Sequence, residues 1–246
     1  MNLLSVTDAS KAFGGVIANR DISIEVPEGK IIGLIGPNGS GKTTLFNSIV
    51  GYHPLDSGSI KFNGEEISSL VVPQIARRGL LRTFQQTRIY GKMNCVQNML
   101  ISVPHRNTGF KHMFQKHSAD EIDKAEDLLE FVGLYSKRNL LAGDLSFGQQ
   151  KLLEFAMALM NEPRLLLLDE PTAGINPTLI NGLIDRLKTA NQHLGVTLLV
   201  IEHNMRVIMN LAEHIYCLAH GELLADGSPD EIQNDQRVLD AYLGAH

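Results

Sequence analysis

Tryptophan is absent from this chain and cysteine occurs only twice, at Cys95 and Cys217. Two cysteines so far apart, with no C-x-x-C pair and no Cys/His spacing, exclude a disulfide framework and a thiolate metal site. They predict two buried thiols in a reducing compartment. Long apolar runs are also missing. A stretch such as Leu165 to Leu168 falls far short of the roughly 20 apolar residues that a membrane-spanning helix needs. The opening Met1-Asn2-Leu3-Leu4-Ser5 has neither the basic region nor the long apolar stretch and cleavage site of a secretory signal, so a chain that neither spans a membrane nor is exported is expected. Positive charge is not in excess: 22 Lys and Arg against 27 Asp and Glu leave a net charge of −5. That balance predicts no nucleic-acid partner. The local cluster of Arg77, Arg78, Arg82 and Arg88 is read as a solvated helix face.

What is present is a globular composition, 43% apolar and 20% charged over 246 residues. This suits one large α/β domain or a core carrying an inserted subdomain. Residues 1 to 30 read as antiparallel strands with turns at Phe13-Gly14-Gly15 and Val26-Pro27-Glu28-Gly29, and Ser59 to Gly64 as a hairpin end with an Asn-Gly turn. From about Gln86 to Met160 helical periodicity takes over, with Ile122, Ala125, Leu128, Leu129 and Val132 on one face. Val103 to Asp120 is polar and aperiodic, and reads as a loop or partly helical insertion. Its His105, His112 and His117 do not stand at metal-ligand spacing. Strands are expected again at Arg164 to Asp169, Val196 to Glu202 and His214 to Leu218, and helix over Pro229 to Leu243.

The chemistry begins after Ile31-Ile32-Gly33-Leu34-Ile35, an apolar run that reads as a buried strand. It is followed by Gly36-Pro37-Asn38-Gly39-Ser40-Gly41-Lys42-Thr43-Thr44 and then by Leu45 to Val50 with helical spacing. Strand, G-x-x-x-x-G-K-[ST], helix is the P-loop. Gly36, Gly39 and Gly41 let the backbone turn its N–H groups toward phosphate oxygens, and the helix N-terminus adds partial positive charge. Lys42 is placed to reach the β- and γ-phosphates, and the Thr43 hydroxyl to ligate Mg²⁺. By itself the motif says only nucleoside triphosphate, and leaves transporter, GTPase, kinase and motor open.

Leu165-Leu166-Leu167-Leu168-Asp169-Glu170 supplies the second half of such a site, a buried strand ending in two acids. Ligands of a parallel sheet bind at the carboxyl ends of its strands, so Asp169 is expected beside the phosphate loop as a Mg²⁺ ligand. Glu170 is the candidate general base or orienter of the attacking water. Upstream, Asp144-Leu145-Ser146-Phe147-Gly148-Gln149-Gln150-Lys151 precedes apolar residues at helical spacing. Ser146 and the N–H groups around Gly148 would form a second anion-attracting helix start.

That segment resembles the L-S-G-G-Q signature of the ABC ATPase family, with Phe147 in place of the first glycine. The resemblance implies the ABC ATPase fold: α/β, with a P-loop NTPase core sheet, an N-terminal antiparallel β-subdomain and an inserted α-helical subdomain. The implied division is a single domain over 1–246, with the nucleotide-binding core and β-subdomain in 1–85 and 161–246 and the helical subdomain in 86–160. ATP and Mg²⁺ are the implied cofactors. In the family, the signature of one subunit, here Ser146, Gly148 and Gln149, covers the γ-phosphate on the P-loop of another in a head-to-tail dimer. Thr83-Phe84-Gln85-Gln86 is similar to the Q-loop, which gives Gln85 a contact to Mg²⁺ and water. His203, after Leu198 to Glu202, is similar to the switch histidine on the γ-phosphate. Phe13 stands where the family stacks an aromatic on adenine, although an isolated Phe near an N-terminal strand is usually core. Asn176, in Ala173-Gly174-Ile175-Asn176-Pro177, replaces the usual D-loop Asp.

Phe13-Gly14-Gly15, Arg82-Thr83-Phe84-Gln85, the insertion near 103 to 120, Ala173-Gly174-Ile175-Asn176-Pro177, Ile201-Glu202-His203-Asn204-Met205 and Ala241-Tyr242-Leu243-Gly244 further resemble an ATPase subunit of branched-chain amino acid importers. The implied partners are a second ABC ATPase subunit in a homo- or heterodimer, integral membrane permease subunits and, indirectly, a periplasmic or extracellular binding protein. The implied location is the cytoplasmic face of the inner or plasma membrane, held there by the permeases. A related urea or amide importer, another ABC system, a soluble non-transport ABC ATPase and a non-hydrolytic regulator stand as alternatives.

Overall fold

The computed structural model describes residues 1–83, 89–103 and 117–243. Gln85, with Phe84, Gln86, Arg88, His105, His112 and Gly244, lies outside them. In chain order come strands β1 (Asn2–Phe13), β2 (Val16–Pro27) and β3 (Ile31–Ile35), then helix α1 (Lys42–Ile49), β4 (Ser57–Phe62) and β5 (Glu65–Glu66). These lead to α2 (Val72–Ala76), β6 (Leu80–Arg82), α3 (Cys95–Ile101), α4 (Ala119–Phe131) and α5 (Phe147–Leu159). The rest is β7 (Leu165–Asp169), α6 (Pro177–Leu194), β8 (Thr197–Ile201), α7 (Met205–Leu211), β9 (His214–Ala219), β10 (Glu222–Gly227), α8 (Pro229–Asn234) and α9 (Gln236–Leu243).

Two compact units share these elements. One comprises Met1–Arg82, Arg164–Thr172 and Leu187–His246, and the other Thr83–Pro163 with Ala173–Arg186. The first holds both sheets. A four-stranded antiparallel sheet runs β2-β1-β4-β5, and a six-stranded sheet runs β10-β9-β3-β8-β7-β6. In the second sheet only the β9–β10 pair is antiparallel. The parallel strands β3, β7 and β8 are buried at every position. Strands covered on both faces carry continuous apolar sequence rather than alternation, which is why these three read so clearly in the sequence.

The hairpins follow their turn residues. Phe13 pairs Val16 across Gly14 and Gly15, and Phe62 pairs Glu65 across Asn63 and Gly64. All four turn residues have positive φ, from 52° to 88°. That is the requirement of the two-residue turns that match strand twist. Between the sheets, Leu4, Val6, Ile22, Ile24 and Phe62 meet Leu34, Leu45, Phe46, Ile49 and Leu167 in one core cluster. Each such fully buried side chain contributes about 1.5–3 kcal/mol. Truncating Phe46, which is wholly buried, costs about 3–5 kcal/mol and removes the seat of α1.

In the second unit, α4 starts earlier than the polar composition of Val103 to Asp120 suggests. Ser118 accepts from Glu121 N–H while Glu121 accepts from Ser118 N–H, so Ala119 and Asp120 already belong to the helix. The C-terminal helical stretch is broken at Asp235, whose carboxylate accepts from Arg237 N–H and starts α9. Strands β6 and β10 are additions to the expected elements. Cys95 and Cys217 are both buried free thiols, as their isolation predicts. Among the described residues no helix is long and apolar enough to cross a membrane.

Candidate nucleotide site

Strand β3 ends at Ile35 and the chain turns through Gly36, Pro37, Asn38, Gly39, Ser40 and Gly41 into α1. Two of these glycines are sterically compelled. A Cβ on Gly36, at φ 144°, would lie 2.1 Å from the Leu218 carbonyl oxygen, and one on Gly41, at φ 98°, would lie 2.3 Å from that of Ala18. Asn38, Gly39 and Thr43 are exposed, Pro37 and Thr44 half-buried and Ser40 buried. The Lys42 ammonium turns back over the loop and donates to the carbonyls of Gly36 (2.8 Å) and Pro37 (2.9 Å) and to Ser40 Oγ (3.3 Å). Burial holds the Lys42 ammonium below the ordinary lysine value, opposed by the charges of Glu170, Cys217 and Asp169.

Asp169 and Glu170 sit at the carboxyl end of β7, in the same unit as the loop. Asp169 Oδ2 accepts from Arg82 Nη2 at 2.6 Å, and Arg82 Nη1 donates to Asn47 Oδ1 on α1 at 2.6 Å. Arg82 is therefore no part of a solvated helix face. It closes strand β6, is buried, and places its guanidinium 5.5 Å from the Phe46 ring centroid. The physical reason is the carboxylate next door: a charged side chain enters an apolar interior where an opposite charge meets it. Arg78, by contrast, is exposed and pairs with Glu65.

Glu170 adopts φ 50°, unusual for a residue other than glycine, and its N–H donates to the Ile201 carbonyl on β8. Its side chain meets the second residue after β8. His203 Nε2 lies 2.7 Å from Glu170 Oε1. Glu202, the residue after β8 and only 2% exposed, accepts from Thr172 N–H (2.9 Å) and Thr172 Oγ1 (2.5 Å). That carboxylate ties the segment after β7 to the end of β8. Neither Arg82 nor Glu202 stood out as a site residue in the sequence. The available signal was a charge ending a short apolar run, as Asp169 does. Asn19 was equally silent. It is 1% exposed and donates to the Gly41 carbonyl at 3.1 Å from β2, where a bulge at Asp21 (φ 48°) disturbs the alternation.

Phe13 ends β1 with 44% exposure, edge-on to the His53 ring, and so is not a core residue. In the second unit, Ser146 caps α5. Its hydroxyl accepts from Gln149 N–H, and Gln149 Oε1 accepts from Ser146 N–H. Gly148 is buried and Phe147 is 45% exposed, packed so closely on Gly174 that a Cβ there would lie 2.8 Å from the ring. Asn176 Oδ1 accepts from Thr178 N–H and Oγ1, which makes it the cap of α6.

Thr43 and Asp169 offer the hard oxygen donors that Mg²⁺ takes. Among the described residues no group of three His, Cys, Asp or Glu forms a metal cage. Mg²⁺ is ordinarily held by one or two protein oxygens together with substrate phosphates, so the donor set fits.

Residues 19–173 match the family described as ABC transporter, and residues 222–246 the one described as branched-chain amino acid ATP-binding cassette transporter. The chain is 38% identical to the high-affinity branched-chain amino acid transport ATP-binding protein BraF of Pseudomonas aeruginosa, over 98% of each chain. It is 36% identical to the protein LivG of the same description in Escherichia coli K12, again over 98% of each. Among solved structures it superposes with a TM-score of 0.89, at 32% identity and 99% coverage of both chains, on the ADP conformation of an ATP-binding cassette of an ABC transporter.

Proposed function

The chain belongs to the ABC transporter family as an ATP-hydrolysing subunit, and from that premise we propose that it powers the import of branched-chain amino acids through membrane permeases. The likeness to BraF and LivG over nearly the whole chain supports the cargo class. The observation that carries the hydrolytic role is the contact between Glu170 and His203 at the ends of adjacent strands.

In this reading the N–H groups of the loop from Gly39 to Thr44 bind phosphate oxygens, and Lys42 exchanges its loop carbonyls for the β- and γ-phosphates. Phe13 offers a π face to adenine from the exposed end of β1. Glu170 orients water and accepts its proton, while His203 fixes the carboxylate and contacts the γ-phosphate. Thr43 and Asp169 are the residues that would hold Mg²⁺, which supplies charge neutralisation to the phosphates. Gln85 would join them.

Ser146, Gly148 and Gln149 face the γ-phosphate of a second ATPase subunit, so that the triphosphate joins two chains and its hydrolysis releases them. Attachment to permeases places the subunit at the cytoplasmic side of the membrane. The test is reconstitution with the permeases and binding protein in vesicles. ATP-dependent uptake of leucine, isoleucine or valine supports the proposal. Turnover of ATP with uptake of urea or amides alone removes the cargo assignment.

A further inference from the structure

The C-terminal helix reaches the phosphate loop. Gly36 N–H, at the first residue after β3, donates to the phenolic oxygen of Tyr242 on α9 at 2.8 Å. Where a Cβ would stand on Gly36, the Leu218 carbonyl of β9 leaves no room for one. The turn that opens the loop is therefore fixed by two contacts, the close approach of a strand carbonyl and a bond to a side-chain oxygen 206 residues away in sequence. Helix α9 is itself anchored, through the Asp235 cap at its start and through Val238, which is 1% exposed. Burial pushes the phenol up to about 12, so it remains a neutral hydrogen-bonding group throughout the physiological range.

We propose that Tyr242 is a positioning residue for nucleotide binding, its hydroxyl holding Gly36 so that the loop meets the phosphates already in shape. A loop that must be ordered at the moment of binding loses affinity by the cost of that ordering, and a bond made beforehand removes the cost. The inference rests on the assignment of residues 36–44 as the ATP site.

The experiment uses the full chain, ¹⁵N-labelled at glycine, as wild type and as Tyr242→Phe, which keeps the ring and removes only the oxygen. ATP with Mg²⁺ is titrated calorimetrically, and amide exchange is followed at Gly36, with the buried amide of Gly33 on β3 as the reference for global opening. The expected result is a three- to tenfold weaker affinity, about the worth of one hydrogen bond, with faster exchange at Gly36 relative to Gly33. Unchanged affinity, or unchanged relative exchange at Gly36, overturns the inference. A wild-type chain that binds no ATP instead overturns the site assignment itself, an outcome separate from equal binding by the two chains.

Discussion

Arg82 Nη2 stands 2.6 Å from Asp169 Oδ2, with side-chain exposures of 7% and 4%. The cation that neutralises this carboxylate in the folded chain is thus an arginine of the edge strand β6, which also holds α1 through Asn47. Asp169 is the residue proposed above as a Mg²⁺ ligand. A metal held there would meet a cation already in position.

Removing one member of a buried ion pair strands the other charge, at a cost of about 3–5 kcal/mol. Arg82→Met is expected to lose that much folding stability in urea denaturation. The double variant Arg82→Met, Asp169→Leu is expected to recover much of the loss, since replacing both partners by apolar groups leaves no orphan charge. Additive losses in the double variant would show that the two residues stabilise the fold independently.

Glu170→Gln keeps the shape of the side chain and gives up its basicity. Steady-state ATP turnover is expected to fall by about 10²–10⁴, the usual worth of a general base, while ATP binding by equilibrium dialysis persists. Turnover within twofold of wild type takes Glu170 out of the assigned role.

Asn176 caps α6 through its side-chain oxygen, a role that Asp performs equally well. Asn176→Asp is expected to melt with wild type, and Asn176→Ala to lose about 1 kcal/mol. Differential scanning calorimetry on the three chains decides the point.

Alkaline pH provides a further check. Burial pushes the Cys217 thiol up to about 11 and the Tyr242 phenol up to about 12, above the unfolded values near 9 and 10. Between those limits the unfolded chain gives up protons that the folded chain retains, so stability is intact below pH 9 and falls as pH rises beyond it. Thiol alkylation at pH 9 should accordingly be slow at Cys217 in the folded chain and rapid in urea, as read by mass spectrometry.

The elements most legible in the sequence are those whose burial leaves a one-dimensional mark. Strands β3, β7 and β8 carry unbroken apolar runs because both faces are covered, and the phosphate loop shows itself through glycines that backbone contacts enforce. Asp169 and Glu170 are visible because they end such a run. The supporting residues are less visible. Asn19 sits past a bulge that resets the alternation, and β6 is only Leu80–Arg82, so Arg82 merges with neighbouring surface arginines. The Gly36–Tyr242 bond joins residues 206 apart in sequence, and nothing local records it. Phe13 departs from the ordinary expectation for an apolar aromatic because it ends a hairpin that projects its ring to solvent.

Strand β3 is made long before its neighbours in the sheet, β8 and β9, which follow it by more than 160 residues. A chain that has formed only its first strands has the glycines and the lysine of the loop but not the neighbours that seat them. Contacts so distant in sequence close slowly. A chain truncated before β8 therefore carries the whole phosphate-loop sequence without the strands that flank β3.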